Sequence, residues 1–517
     1  MSVAAGIVRI AASLSFVWAS KHLVDIATGQ SASPIREGIA IFAGILLLQV
    51  VTIVFTRWWE SYTLVKTQNA LRLSLFGHVM KSRWDGRERF LSGDTVNRLE
   101  EDIRVVADLI SSRIPGVLVI LFQLAAASAY LVMLSPNLCW VLIVLMVTTV
   151  FGSRMFFRVL RRLMAHIRAR ESELQQVMQE SLQHRVLVLT LTSTERVLEK
   201  FGWLQDDIAD TTRRRLNYNA VARGIMAFGF QAGHAAAFLW GVFGIIAGTV
   251  TYGMMTAFLQ LVGQVQRPIS DVAQQIPAFI NALTSIERLM ELEELELEPV
   301  SAPVILEEAP EIVISNVSYA YPGGDTPVID NLSCVFPAGA VSLIAGHTGI
   351  GKSTLMRLVM GLLKPSSGSI TLDGETAGSA LRDNFLYVPQ GNSLLSGTVR
   401  SNLQLACPSA TDEQIREALE TASAGFVYNL PAGLDTPCGE VGSGLSEGQA
   451  QRIAIARALL HPGTVMVLDE CTSALDAETE SRVMDSIHSL YHGKKTILVI
   501  SHREATRAYA DNVVNLD

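Results

Sequence analysis

Charge is scarce in this chain: only 17% of its 517 residues are Asp, Glu, Lys or Arg, against 49% that are hydrophobic. A composition this apolar excludes an ordinary pair of soluble domains and places part of the chain in lipid. Basic residues are not in excess either. The net charge of −8 repels a phosphate backbone, so no nucleic-acid partner is expected. Cysteine is sparse, and Cys139, Cys334, Cys407, Cys438 and Cys471 make no CxxC pair and have no histidine at metal-binding spacing. This usage fits reduced cytoplasmic thiols, with packing as the expected role of Cys471. What charge there is lies unevenly: residues 1–310 carry 28 Lys/Arg and 27 Asp/Glu, whereas 311–517 carry 13 and 22. The later part reads as an acidic, soluble unit.

A membrane helix needs roughly 20 mostly apolar residues. Six stretches approach this, near 3–20, 37–56, 114–134, 137–157, 224–248 and 253–275. The first is short and holds Arg9, so a helix near the interface with Arg9 snorkelling is the alternative to a span. It lacks the cleavage pattern of a signal peptide. Ten basic residues fall between 57 and 113 and thirteen between 154 and 223, which places both segments, the N-terminus and the acidic unit in the cytoplasm. Both segments are rich in Leu, Glu, Arg and Gln and are predicted to prolong the spans as helices into water. Breaks at Trp84-Asp85-Gly86 and Leu191-Thr192-Ser193 turn each segment back on itself. Along the last span Gln260, Gln264, Arg267, Asp271 and Gln275 share one helical face. That face lines a cavity, meets another subunit, or has already left the membrane. Gln231 and His234 on the fifth span are weaker pocket candidates.

From 290 to 310 the sequence turns acidic and then proline-punctuated, marking a linker between a membrane part at 1–289 and a second domain at 311–517. Strands are predicted at 312–317 and 340–345, the latter running into Gly346-His347-Thr348-Gly349-Ile350-Gly351-Lys352-Ser353, with a helix over 353–362. Strand, glycine loop and helix in that order form the context of a phosphate-binding loop. Glycines let successive N–H groups point at phosphate oxygens, and the helix N-terminus adds its dipole. Lys352 supplies charge to the β and γ phosphates, and the Ser353 hydroxyl suits magnesium. Further on, 464–470 reads as a buried strand ending in two carboxylates. Asp469 is expected in a magnesium shell and Glu470 as the general base for an attacking water, the alternative being acids that cap the next helix.

Taken in order, these motifs resemble the ATP-binding cassette (ABC) superfamily, and the domain order resembles an exporter-type half-transporter. The resemblance spans almost the whole chain. It rests further on Leu445-Ser446-Glu447-Gly448-Gln449, similar to the family signature, and on the run from Gln451 to Leu459 that follows. It implies six membrane helices with long cytoplasmic extensions, then an α/β P-loop ATPase domain. It further implies that Ser446, Gly448 and Gln449 meet ATP bound to the opposite subunit, although Ser446 also suits a helix N-cap. Tyr321, 25 residues ahead of Gly346, resembles the aromatic that stacks on adenine, with packing as the alternative. His347, Thr348, Ile350 and Thr354 complete the implied nucleotide contacts. Gln390 resembles the glutamine that reaches magnesium and the attacking water, Asp476 belongs to a loop that communicates across the dimer, and His502 resembles the switch histidine on the γ phosphate. Tips near Lys81–Gly93 and His184–Glu195, together with Gly439-Glu440-Val441-Gly442, resemble the segments through which membrane and ATPase domains meet.

The implied function is ATP-driven export or flipping of a substrate across the cell membrane, with ATP and Mg2+ as ligands and a second half-transporter, in a homodimer, as partner. The alternatives are an ATP-gated channel and a regulatory membrane ATPase. The chain departs from the family pattern at Glu447, where glycine is usual. It also lacks a membrane-lying helix before the first span and stops soon after His502, which points to a compact chain or to a start further upstream.

Overall fold

The structure is a computed structural model and describes residues 2–84, 86, 93–324, 326–439 and 444–516. Asp85, the 87–92 stretch of the first expected docking tip and Glu440-Val441-Gly442 lie outside the described residues. The chain forms two compact units, one of 1–75 and 97–291, the other of 76–96 and 292–517.

The first unit is built of helices α1 (Ser2–Ala27), α2 (Ile35–Lys81), α3 (Ile114–Leu134), α4 (Pro136–Arg154), α5 (Phe157–Gln183), α6 (Thr194–Ile246) and α7 (Tyr252–Glu293), with α2 continuing into the second unit. Among the described residues, four helical runs are long and apolar enough to cross a membrane: Ser2–Ala27, Ile35–Lys81, Asp94–Leu134 and Thr194–Ile246. The other two expected spans, within α4 and α7, are helical as well. Helix α7 carries its polar stripe and two internal prolines, Pro268 and Pro277. The first helix is longer than its apolar stretch predicts. Its last turns hold the Lys21–Asp25 pair, 3.8 Å apart, and bury Asp25 and Ile26.

Small residues set the packing. Gly229, Gly233, Ala237 and Gly241 recur every four residues on the buried face of α6. A Cβ at Gly229 would lie 2.3 Å from Thr149 Oγ1 of α4, and one at Gly233 would lie 2.0 Å from Gln266 Nε2 of α7. Such a stripe lets helices approach closely where lipid offers no hydrophobic drive. The polar stripe of α7 is partly used within the chain: Gln264 donates to Ser13 at 3.1 Å, and Gln275 accepts from Arg113 at 2.8 Å. Arg267 and Asp271 are exposed. His234 Nδ1 lies 3.0 Å from the Phe230 carbonyl of its own helix.

The second unit holds strands β1 (Ile312–Tyr319), β2 (Ile329–Phe336), β3 (Val341–Ala345), β4 (Ser367–Leu372), β5 (Glu375–Thr376) and β6 (Phe385–Val388). They are followed by β7 (Gly397–Thr398), β8 (Pro437–Cys438), β9 (Val465–Asp469), β10 (Thr496–Ile500) and β11 (Asn512–Asn515). The order β2-β1-β4-β5 makes an antiparallel sheet, and β11-β3-β10-β9-β6 a parallel one. Every residue of β9 and β10 is buried, as strands covered on both faces require. Helix α8 (Lys352–Val359) packs Leu355, Met356, Leu358 and Val359 into one core, together with the antiparallel sheet. Helices α9 (Glu447–Leu459) and α10 (Ala477–Tyr491) contribute Ile453, Ile455, Val483 and Ile487 to a second. Cys471 is wholly buried there, its thiol pushed up to about 12 by burial.

The stretch after α2 belongs to this unit through backbone bonds. Arg83 N donates to Glu296 O at 2.7 Å, and Glu298 N to Lys81 O at 3.0 Å. Glu298 in turn receives a two-pronged contact from Arg382, at 2.6 and 2.8 Å. The Arg382 hydrogen bonds hold the Glu298 carboxyl below its ordinary range, against the opposing effect of burial. A depressed folded pKa means stability that is present above the unfolded value, about 4.3, and is lost as pH falls through the folded value. Arg382→Gln is therefore expected to lower thermal stability at neutral pH and to lose less than the parent on acidification. Parallel curves for parent and variant from pH 7 to 3 would remove the pair from the account.

Candidate active site

Parallel strands put their carboxyl ends along one edge, which is where open α/β sheets bind ligands. Here the loops after β3, β10, β9 and β6 emerge side by side and carry the glycine loop, His502, Asp469 with Glu470, and Gln390. Gly346, Gly349 and Gly351 have φ of 145°, 90° and 109°, a region closed to most side chains. At Gly351 space is short as well, since a Cβ would lie 2.9 Å from Val328 Cγ1 and Ile329 Cδ1.

The side chains converge. Lys352 is buried, and its ammonium donates to the carbonyls of Gly346 at 2.8 Å and His347 at 3.1 Å. It also lies 3.2 Å from His502 Nε2. That same nitrogen is 3.1 Å from Glu470 Oε1, and Gln390 Nε2 donates to Glu470 Oε2 at 2.7 Å. Ser353 Oγ donates to Asp469 Oδ1 at 3.2 Å. Burial pushes the Asp469 carboxyl up, while the Ser353 hydroxyl and the Lys352 and Arg357 charges oppose that rise. Glu470 takes a left-handed φ of 48° and is pinned by its N–H to the Ile500 carbonyl at 3.1 Å. Non-glycine residues hold such a conformation where the surroundings dictate it, most often at functional sites.

The oxygen donors fit a hard divalent cation: a hydroxyl, a buried carboxylate and an amide oxygen, since the bond from Gln390 Nε2 leaves its Oε1 available.

The predicted signature residues form a second constellation. Ser446 Oγ accepts from Gln449 N at 3.2 Å while Gln449 Oε1 accepts from Ser446 N at 2.9 Å, so the N-cap role is realised. A Cβ at Gly448 would lie 2.8 Å from Ala474 O, which brings α9 onto the loop after β9. Asp476 caps α10 by accepting from Thr479 N at 2.9 Å, a bond that lowers its carboxyl pKa. Tyr321 meets the helix that follows the glycine loop. Its hydroxyl lies 2.9 Å from Thr354 Oγ1, its ring meets Tyr319 edge-on, and a Cβ at Gly86 would fall 2.4 Å from its Cε1. The packing alternative for Tyr321 thus has direct contacts.

Sequence reasoning named Gln451 only as part of the run after the signature, with no role, and did not find Glu480 or Arg503. Gln451 of α9 bonds Ser473 Oγ and Ala474 N, at 3.1 Å each. Its place two residues after the signature was the available signal; Arg503 likewise stands next to His502.

Phosphate-loop geometry, carboxylates at strand ends and a separate helical unit fit for the bilayer define a membrane-associated nucleotide hydrolase. Comparisons with known proteins agree. The family described as ABC transporter transmembrane region matches residues 1–269, and that described as ABC transporter matches 329–473. The chain belongs to the ABC transporter family, and it is a membrane protein with an ATPase domain. It is 30% identical over 453 residues to an ABC transporter ATP-binding protein of Sinorhizobium fredii, covering 86% of this chain and 77% of that one. It is 28% identical over 492 residues to an ATP-dependent lipid A-core flippase of Desulfotalea psychrophila, covering 92% and 85%. A bacterial Atm1-family ABC exporter with ATP bound shares the fold, with a TM-score of 0.80 and 22% identity, covering all of this chain and 92% of the other.

Proposed function

We propose that this protein couples ATP hydrolysis to export or flipping of a substrate across the cell membrane, working as a homodimer with its ATPase domains in the cytoplasm. The observation that carries the reading is the contact chain Gln390–Glu470–His502–Lys352 beside the Ser353–Asp469 pair, in a chain whose other unit is built of membrane-length helices. Lys352 and the loop N–H groups hold the triphosphate. Glu470 takes a proton from the attacking water, and His502 steadies the γ-phosphate end. Ser353, Asp469 and Gln390 hold Mg2+, which supplies positive charge to the phosphates when bound. By the family resemblance Tyr321 serves adenine, and Ser446, Gly448 and Gln449 serve the nucleotide of the partner subunit. The basic segments at 57–113 and 154–223 support the cytoplasmic orientation.

The test is reconstitution in vesicles with labelled lipids, peptides and drugs on the ATPase side. ATP-dependent movement of one class is the expected result. Hydrolysis with no solute moved would favour a regulatory ATPase, and passive flux gated by ATP a channel. For the metal site, Asp469→Asn is expected to raise the Mg2+ concentration for half-maximal hydrolysis roughly tenfold or more. An unchanged Mg2+ titration would take Asp469 out of the shell.

A further inference from the structure

His502 and Glu470 stand on different loops, after β10 and after β9, and their 3.1 Å contact requires those loops to keep a fixed spacing. Adjacent parallel strands fix the spacing only up to Asp469 and Ile500, the last paired residues. Beyond them one backbone bond, from Glu470 N to Ile500 O, continues the register. The next link is a side chain. Arg503 Nη2 donates to the carbonyls of Ser473 and Leu475, at 2.9 Å each, and Arg503 Nη1 donates to Glu480 Oε2. Glu480 lies on α10 with its side chain 4% exposed, and its other oxygen accepts from Thr472 Oγ1 at 2.9 Å. One guanidinium therefore ties the residue after His502 to the whole 472–480 turn.

We propose that Arg503 is a positioning residue for hydrolysis: its grip on Ser473, Leu475 and Glu480 sets the spacing between His502 and Glu470. The planar fork suits this task. It presents several donors in fixed directions, so a single side chain satisfies two carbonyls and a carboxylate at once. The ammonium of lysine offers the charge without the fork. The turn it holds also bonds Gln451 through Ser473 and Ala474, so the same guanidinium sets where the signature helix α9 meets that turn. Arg503 touches neither phosphate nor water in this account and acts through the loops it joins.

The proposal rests on the hydrolytic reading of Glu470 and His502. Purified full-length protein in nanodiscs is assayed for ATP binding by equilibrium titration with Glu470→Gln as background, and for steady-state hydrolysis without it. Arg503→Gln is expected to lower kcat about 10- to 100-fold, the range that small misplacements of catalytic groups produce, while the ATP dissociation constant stays within about twofold. Arg503→Lys should fall between. Added guanidinium ion should restore part of the Arg503→Gln rate, and a kcat loss with unchanged ATP affinity is what a merely structural loss would not show.

Removing one partner leaves Glu480 buried and unpaired, which can unfold the variant. The double variant Arg503→Met with Glu480→Met removes the pair without stranding a charge. It should keep the parent melting temperature within a few degrees and still show the kcat defect. A folded double variant with parental kcat overturns the positioning role. If Glu470→Gln itself leaves hydrolysis intact, the hydrolytic reading fails first; if it abolishes hydrolysis while the Arg503 variants keep theirs, only this inference falls.

Discussion

Glu470→Gln is expected to abolish steady-state ATP hydrolysis, by roughly 10²- to 10⁴-fold, while ATP still binds. The substitution is isosteric, and an amide oxygen still accepts from Gln390 Nε2, whose bond to Glu470 Oε2 is 2.7 Å. What disappears is the carboxylate that takes a proton. Phosphate release and nucleotide binding, measured on the same preparation, separate the two effects. Turnover within a few-fold of the parent would sink the assignment of Glu470 and with it the hydrolytic reading of the site.

Gly253→Ala is expected to cost the membrane unit about 2–4 kcal/mol, from overpacking together with a lost buried hydrogen bond. Gly253 lies in the first turn of α7, where backbone N–H groups have no partner within the helix. Its N–H donates to Asp25 Oδ1 of α1 at 3.2 Å, in a buried contact. A Cβ there would sit 2.4 Å from the Lys21 carbonyl oxygen and 2.4 Å from Asp25 Oδ1. Backbone cannot step aside as a flexible side chain can, so α1 and α7 must separate. Thermal unfolding in nanodiscs checks this, with Asp25→Asn as a milder companion that keeps an acceptor. A Gly253→Ala variant as stable as the parent would show that the seam yields freely.

The parts of the site that were legible in the sequence are those whose chemistry is local. A glycine loop needs its residues consecutive, so β3, the loop and α8 were readable from 340–362, and the apolar run ending in Asp469 and Glu470 announced β9. What escaped were pairings between distant residues. Nothing near Arg382 in sequence points to Glu298, and nothing near Arg503 points to Ser473 or Glu480. Their contacts arise only when β9 and β10 lie side by side or when the linker folds back. The apolar stretch likewise ended before α1 does, because Lys21 and Asp25 interrupt it, although Asp25 is buried and accepts from Gly253 N of α7. Hydropathy also weighed the polar stripe of α7 as a whole, whereas the structure gives its members separate uses, Gln264 on Ser13 and Gln275 with Arg113.

The contacts around His502 Nε2 have a further consequence. This nitrogen faces the Lys352 ammonium, a donor, and a Glu470 carboxylate oxygen, an acceptor. With its proton on Nε2 the ring serves Glu470 and turns an N–H toward the ammonium. With the proton on Nδ1 it accepts from Lys352 and sets lone pair against lone pair at Glu470. One tautomer cannot please both neighbours. An anion at the glycine loop that drew the ammonium onto itself would end the contest and leave the ring to donate to Glu470. Under the proposed hydrolytic reading, triphosphate binding would then favour the tautomer with its proton on Nε2, and that choice would reach the residue proposed to activate water before any bond has broken.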